Sequence, residues 1–337
     1  MTWIVTHQSA LEFWRKTDIE GSLIEKTPCA IKPQAKPLDA KELRIEDFQG
    51  LTIPLHVLVG SDNARKVNRN LHCHICSGEF PKGSFVRMGS GLTVSPPELC
   101  FLQMADTLSL VDLIALGFEL CGAYRLPAVN SFVGQNTIGN VESEDNKGFR
   151  GDLPLTSINS LNTYIAKAAN LKGSIKARRA LLFIADGSAS PMETILAMLL
   201  TLPYKLGGYG FAKPLLNYRI EVPAGGKSTG KPRQSKYYYC DLYWPDKKVD
   251  VEYDSDAYHT GSERIAQDAI RRNALSSMGI TVVTVSRIQI AKPLNMRELA
   301  EILSKLLRKR LNYPKKEFTY RQRELMRQLL PRLPANS

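Results

Sequence analysis

The sequence predicts an α/β protein: a C-terminal αβββαβ core with a mixed sheet, preceded by an α+β part. Three observations predict it. A strong helix start at Ser190-Pro-Met-Glu193 leads into an apolar helical run, three strand-like runs follow it, and a further helical pattern separates the third run from one more apolar strand. A helix between two strands is the connection that parallel neighbours need, while closely spaced runs suit antiparallel hairpins, so the sheet is expected to be mixed. The N-terminal part interleaves single helices with short strands.

Taken in order, Ser9 is expected to cap a first helix through Arg15, with Glu12 in the capping-box position. The Lys- and Pro-containing stretch to about Pro54 reads as irregular. Short strands are expected at 53–59, 70–75 and 84–88, where β-branched and apolar residues stand between Gly and Pro. Ser95-Pro-Pro-Glu98 opens a helical region, and Ser109 caps a second helix running to about Ala123. Residues 129–156, polar and rich in Gly and Asn, read as a long loop, and helical pattern resumes over 157–186. Ser190 at the N-cap, Pro191 at N1 and Glu193 at N3 then start the helix of the core. Strands are expected at 216–222, 236–243 and 248–254, a helix at 262–278, a strand at 280–285 and a last helix at about 295–311. The domains expected are 1–150, a helical connector 151–189, the core 190–311 and a basic tail 312–337.

The chain has 337 residues, which favours two domains and a sizeable core. It has no apolar run long enough to span a bilayer, and Met1 to His7 lacks the basic start and apolar centre of a signal peptide. A cytoplasmic protein with no membrane partner is therefore expected. The six cysteines are scattered without secretory features and should be reduced thiols. A formal charge of +12 favours a polyanionic partner, because Lys and Arg gain affinity by releasing phosphate counterions.

Two motifs fail on inspection. Ala224-Gly-Gly-Lys-Ser-Thr-Gly-Lys231 suggests a phosphate-binding loop, but Pro232 stands where Ser or Thr belongs and no helix follows. It reads as a basic hairpin loop whose Lys227, Lys231 and Arg233 can touch phosphate. His72-Cys-His-Ile-Cys76 holds zinc-ligand atoms, but no second pair lies at close spacing, so a half-buried strand is the better reading.

The acids of Tyr237 to His259 are more informative. Strand alternation places Val249, Val251 and Tyr253 on one side and Asp250, Glu252 and Asp254 on the other, with Asp241 on the preceding run. A row of carboxylates in a partly buried strand lies at a solvated edge, pairs with Lys or Arg, or binds a hard cation. The bland reading is a surface strand salt-bridged to Lys247 and Lys248; the apolar residues on its other face argue for a covered sheet. Glu193 is accounted for as the capping-box acid, and it can equally point its carboxylate toward the same ion.

Asp241-Leu-Tyr-Trp-Pro-Asp246, Val249-Asp-Val-Glu-Tyr-Asp254 with His259, Asp268-Ala-Ile-Arg271-Arg-Asn273 and Gly279-Ile-Thr-Val-Val283 together resemble the PD-(D/E)XK nuclease superfamily. They are most similar to bacterial endonuclease-like domains related to the very-short-patch mismatch-repair endonuclease, over about Ser190 to Leu311. The resemblance implies a restriction-endonuclease-like core and a Mg²⁺-dependent DNA endonuclease, with Mn²⁺ as the substitute ion. It implies Asp241 and Glu252 as metal ligands and Glu193 as the acid of the preceding helix, with Asp254 in the catalytic group and His259, Asp268 and Arg271 as auxiliary residues. Asp254 occupies the place of the usual Lys, and Arg271 or Lys236 is left to supply the missing cation; Asn273 stands where relatives often carry Asp. Arg308-Lys309-Arg310, with Lys227, Lys231 and Arg233, would hold the DNA backbone. The alternatives are a non-catalytic DNA-binding regulator with a decayed nuclease fold, or an antitoxin-like interaction protein. The latter follows from 9–123, whose SALEFWR opening and Ser95-Pro-Pro-Glu98 start resemble abortive-infection antitoxin-type proteins and imply a protein partner for the N-terminal domain.

Overall fold

The computed structural model describes residues 4–17, 27–29, 51–65, 69–75, 79–88, 92–128, 148–223, 235–254 and 262–330. The chain forms an α/β structure of two compact units, Met1–Ile184 and Ala185–Ser337.

The first unit runs β1 (Ile4–Val5), α1 (His7–Lys16), β2 (Thr27–Cys29), β3 (Leu55–Val59), β4 (Leu71–Ile75), β5 (Phe85–Arg87) and β6 (Thr93–Val94). It continues with α2 (Pro97–Thr107), α3 (Leu110–Leu120), the small ribbon of β7 (Tyr124–Arg125) and β8 (Arg150–Gly151), then α4 (Ile158–Lys167) and α5 (Ser174–Leu181). Its main sheet has the order β2-β5-β6-β1-β3-β4, with β1–β6 and β3–β4 parallel and the other pairs antiparallel. Trp14, Leu11, Phe101, Leu102 and Phe118 are fully buried, and Arg15 makes a two-pronged bond to Glu119 (2.8 and 2.6 Å) in the same interior. A buried ion pair holds only when both groups are hydrogen-bonded, and this one is.

Several local expectations change here. The first helix starts at His7 after Thr6, not after Ser9, because distant partners claim both cap groups. Ser9 Oγ accepts from the His56 N–H at 2.9 Å, and Glu12 accepts from Thr52 and Lys16. Ser95 likewise gives its hydroxyl to Thr6 while α2 begins at Pro97. The helical span 157–186 divides in two at Gly173, whose φ of +89° is one a side chain would strain. Both resulting helices, α4 and α5, pack on α2 and α5 also on α3, so residues 151–184 belong to the first unit and not to a connector. Most of the expected 129–156 loop lies outside the described residues.

The second unit runs α6 (Pro191–Thr201), a short turn at Tyr204–Leu206, β9 (Leu215–Val222), β10 (Lys236–Trp244), β11 (Val249–Asp254), α7 (Ser262–Ser277), β12 (Thr281–Ser286), α8 (Arg287–Ala291), α9 (Pro293–Leu306) and α10 (Lys315–Leu329). This is the expected αβββαβ order. The sheet is β12-β11-β10-β9: β9, β10 and β11 form an antiparallel meander, and α7 carries the chain across to β12, parallel to β11. Leu275 of α7 joins Ile220, Cys240, Tyr243 and Ile280 in one core cluster. Leu242, Val249 and Val251 are buried as well, and α6 contacts β10 and β11, so the sheet is covered on both faces there.

The expected basic tail is a packed element. α10 buries Phe318, Leu325, Met326 and Leu329, and its Gln322 donates to the Tyr209 hydroxyl at 2.6 Å. It lies on the Tyr204–Leu206 turn, where Gly207 is required twice over: its φ is +92°, and a Cβ would run into the Arg321 carbonyl.

Candidate functional site

The site is built where α6, β10, β11 and α7 meet. Ser190 Oγ accepts from the Glu193 N–H at 3.1 Å, and Glu193 Oε2 accepts from the Ala189 N–H at 2.8 Å, a reciprocal cap that reaches one residue further back than usual. This cap buries the Glu193 carboxyl. Burial first, and the Asp241 carboxylate second, push its pKa up to about 8. Glu193 therefore serves the helix and faces Asp241 at once.

Asp241 sits at an irregularity of β10. Leu242 pairs with Val251, and two residues further along β11 the Tyr253 N–H donates to Asp241 Oδ2 at 2.8 Å. On the other flank, Asn217 takes φ +50° between the pairs Cys240–Tyr218 and Leu242–Leu216. Burial raises the Asp241 pKa to about 6; the Tyr253 N–H opposes this and Glu252 adds to it. On β11, Glu252 Oε1 lies 2.8 Å from Arg271 Nη2 of α7. This is a charge contact and not an aligned hydrogen bond, since Oε1 has no donor in line. Arg271 also donates to the Tyr239 carbonyl. Of the two residues named to supply the missing cation, Arg271 is the one the fold places on these carboxylates.

Asp250 lies on the side of β11 that strand alternation gives it. It shares a side with Glu252, as expected, yet is fully buried, opposite Tyr243 and beside the Cys240 thiol. The groups beside its oxygens are the Glu252 carboxyl and the Cys240 thiol. Burial, then the neighbouring Glu252 carboxyl, push it up to about 8, and burial together with Asp250 raises the Cys240 thiol. A helix covering that face is the signal that identifies Asp250, and α7 provides it.

The remaining expected residues disperse. Asp254 is exposed at the end of β11 in register with Ser286, and Asp268 is exposed on α7. Arg308 and Arg310 are exposed after α9, and Lys309 extends its ammonium to 5.8 Å from the Phe211 ring centre. His259, Lys227, Lys231 and Arg233 lie outside the described residues.

The donors at Glu193, Asp241, Asp250 and Glu252 are all carboxylate oxygens, the chemistry a hard divalent ion takes. Three of the four are raised, burial being the first cause each time, and Arg271 on Glu252 is the cation set against them. The residue types therefore fit Mg²⁺ or Mn²⁺. As placed, no three His, Cys, Asp or Glu side chains among the described residues gather closely enough to hold an ion.

In the first unit, a cluster emerges that the sequence did not disclose. Parallel pairing of β3 with β4 sets His56 beside His72 and Leu58 beside His74, and His7 stacks on His74 with ring centres 3.5 Å apart. His56 Nδ1 and His74 Nε2 are 2.9 Å apart, so four of the five histidines form one network. It borders a cavity of about 310 Å³ lined by His7, His72, His74, Phe80, Gln103 and Asp106, among others. Cys73 is buried on the strand, and Cys76 lies outside the described residues.

No family model, curated protein or solved structure matches this chain. Among the described residues, no helix is long and apolar enough to cross a membrane.

Proposed function

We propose that the second unit is a divalent-metal-dependent DNA endonuclease of the PD-(D/E)XK kind, using Mg²⁺ or Mn²⁺. The observation that carries this reading is the set of acids Glu193, Asp241 and Glu252, contributed by α6, β10 and β11 of an αβββαβ core and coupled electrostatically. Asp241 and Glu252 would hold the ion. When bound, it polarises the phosphoryl oxygen and lowers the pKa of water.

The chain's own groups have distinct tasks. The Tyr253 N–H fixes one Asp241 oxygen and leaves the other for a ligand. Glu193 keeps a third carboxyl at the helix start, where it can take up a proton near neutral pH. Arg271, already on Glu252, provides the positive charge that the acid at 254 cannot. Arg308, Lys309 and Arg310 grip phosphates without reading sequence.

The test is cleavage of labelled duplex, mismatched and single-stranded DNA with Mg²⁺, Mn²⁺ or EDTA. Glu252→Gln and Asp241→Asn are expected to lose cleavage and to weaken Mn²⁺ binding in calorimetry by at least about tenfold, with unchanged circular dichroism. Equal metal-dependent cleavage by wild type and Glu252→Gln ends the reading. One observation favours a non-catalytic DNA-binding regulator: Asp254 stands in the Lys position while Arg271 occupies Glu252. DNA binding with neither cleavage nor Mn²⁺ uptake by wild type selects it.

A further inference from the structure

β10 carries two different rows of tyrosine. Tyr238 packs with Cys240 against the core cluster under α7, so strand alternation turns Tyr237 and Tyr239 to the other face. There they remain 50 % and 52 % exposed. Arg219 of β9, directly opposite Tyr239, lays its guanidinium over the Tyr237 ring, 4.8 Å from its centre. Glu221, opposite Tyr237, is the acid on this face, and exposed Lys236 alternates to the face of Tyr238.

We propose that Tyr237, Tyr239 and Arg219 form a stacking ledge for the bases of single-stranded DNA, leading an unpaired strand toward Asp241. As the route to a cleavage site, this rests on the nuclease reading above; as a binding surface, it does not. Three features carry it. The ledge lies on the strand that bears Asp241, with Tyr239 about 7 Å and Tyr237 about 13 Å before it along β10, at roughly 3.3 Å per residue. Arg271, on the α7 side, reaches the Tyr239 carbonyl and Glu252, so it touches the backbone of the ledge strand and not the exposed rings. Aromatic rings interleaved with arginine are the chemistry that holds unpaired bases, because every base has a π-face and Arg adds attraction for phosphate, whereas paired bases in a duplex hide those faces. The chain's +12 charge supplies the matching long-range field.

Two ordinary explanations compete. Tyr is a good strand former on any half-exposed sheet face, and β9, at the sheet edge, could pair with a second copy of this chain.

The test is fluorescence anisotropy of the full chain in EDTA, with labelled oligothymidylate and a duplex of equal length, across a salt series. Tyr237→Ala/Tyr239→Ala should weaken single-strand binding by about tenfold per ring. It should leave duplex binding and the salt slope unchanged, while Tyr237→Phe/Tyr239→Phe binds like wild type. Arg219→Ala should weaken single-strand binding and lower the slope. Circular dichroism and the melting temperature report whether each variant is folded. Equal losses on single strand and duplex, no loss on either, or no single-strand binding by wild type would overturn the ledge. So would a dimer in light scattering that the double alanine variant abolishes. Because this binding is read in EDTA, it tests the ledge by itself: ledge-dependent binding by a protein that shows no cleavage with Mg²⁺ or Mn²⁺ would spare this inference and sink the nuclease, and metal-dependent cleavage indifferent to both tyrosines would do the reverse.

Discussion

Asp250 is a carboxyl in the interior with the Glu252 carboxyl and the Cys240 thiol as its neighbours, and such a group survives there by keeping its proton. The sign of its effect on stability follows. The unfolded chain ionises Asp near 3.9, whereas the folded chain holds Asp250 to about 8, through burial first and Glu252 second. Its contribution to stability is fully present below the unfolded value and is lost as pH rises toward 8, at up to about 1.4 kcal/mol per pH unit. In EDTA, Asp250→Asn should therefore be increasingly more stable than wild type as pH goes from 4 to 8. Urea midpoints across that range measure it, and parallel profiles for the two proteins would mean that Asp250 is ionised in the fold. Asp241 and Glu252 were legible in the sequence because an acid beside apolar strand residues is conspicuous on any reading. Asp250 was equally visible, but its burial depends on α7 closing that face, and no local pattern around residue 250 reports a helix that begins at Ser262.

At the scale of elements, α1 and the β3–β4 pair combine to hold the imidazoles, and they predict an acid-sensitive first unit. Burial, followed by repulsion from neighbouring imidazoles, holds His7 down to about 2, His74 to about 3 and His56 to about 4. Between about pH 6.5 and 4 the unfolded chain takes up protons that the folded chain refuses, so stability falls as pH falls through that window. Each of the three contributes to the slope in that window, and His7, held lowest, continues to do so at the most acid end. His7→Asn suits the test because its backbone lies in the left-handed region (φ +49°), which Asn tolerates. The variant should lose less of its melting temperature between pH 6.5 and 4.5 than wild type does; an unchanged loss would place the acid sensitivity elsewhere. The same elements divide what could be read from what could not. Ser109 and Ser190 cap their helices as expected, since the bonds span three residues. Ser9 and Glu12 do not, since their partners lie 47 and 40 residues away. The histidine network needs parallel pairing of β3 with β4, a long-range fact to which His72-Cys-His-Ile-Cys76 by itself gives no clue. The meander and crossover of the second unit were legible because each strand is an apolar run of its own and the step from β11 to β12 is bridged by a helix.

The whole molecule carries +12, and the proposed DNA-binding role predicts from it an affinity that falls with salt. Each phosphate neutralised on a duplex releases counterions and contributes a slope of about −0.9 to log K against log salt, and about −0.7 on a single strand. Arg308 and Arg310 are exposed after α9 in the second unit, and phosphate contacts carry no sequence information, so their part should be uniform over sequence. Arg308→Gln/Arg310→Gln should then make the duplex slope less negative by about 1.8, two phosphate contacts' worth, and weaken all sequences alike. Arg308 itself has φ +51°, and Gln is less at ease there than Asn, so Arg308→Asn/Arg310→Gln serves as the control for backbone strain. Titrations of several unrelated duplexes over a range of salt measure both quantities. A slope that stays put while preference among sequences shifts would mean that these arginines read bases, and a wild-type slope near zero would mean that the positive charge of this chain faces something other than nucleic acid.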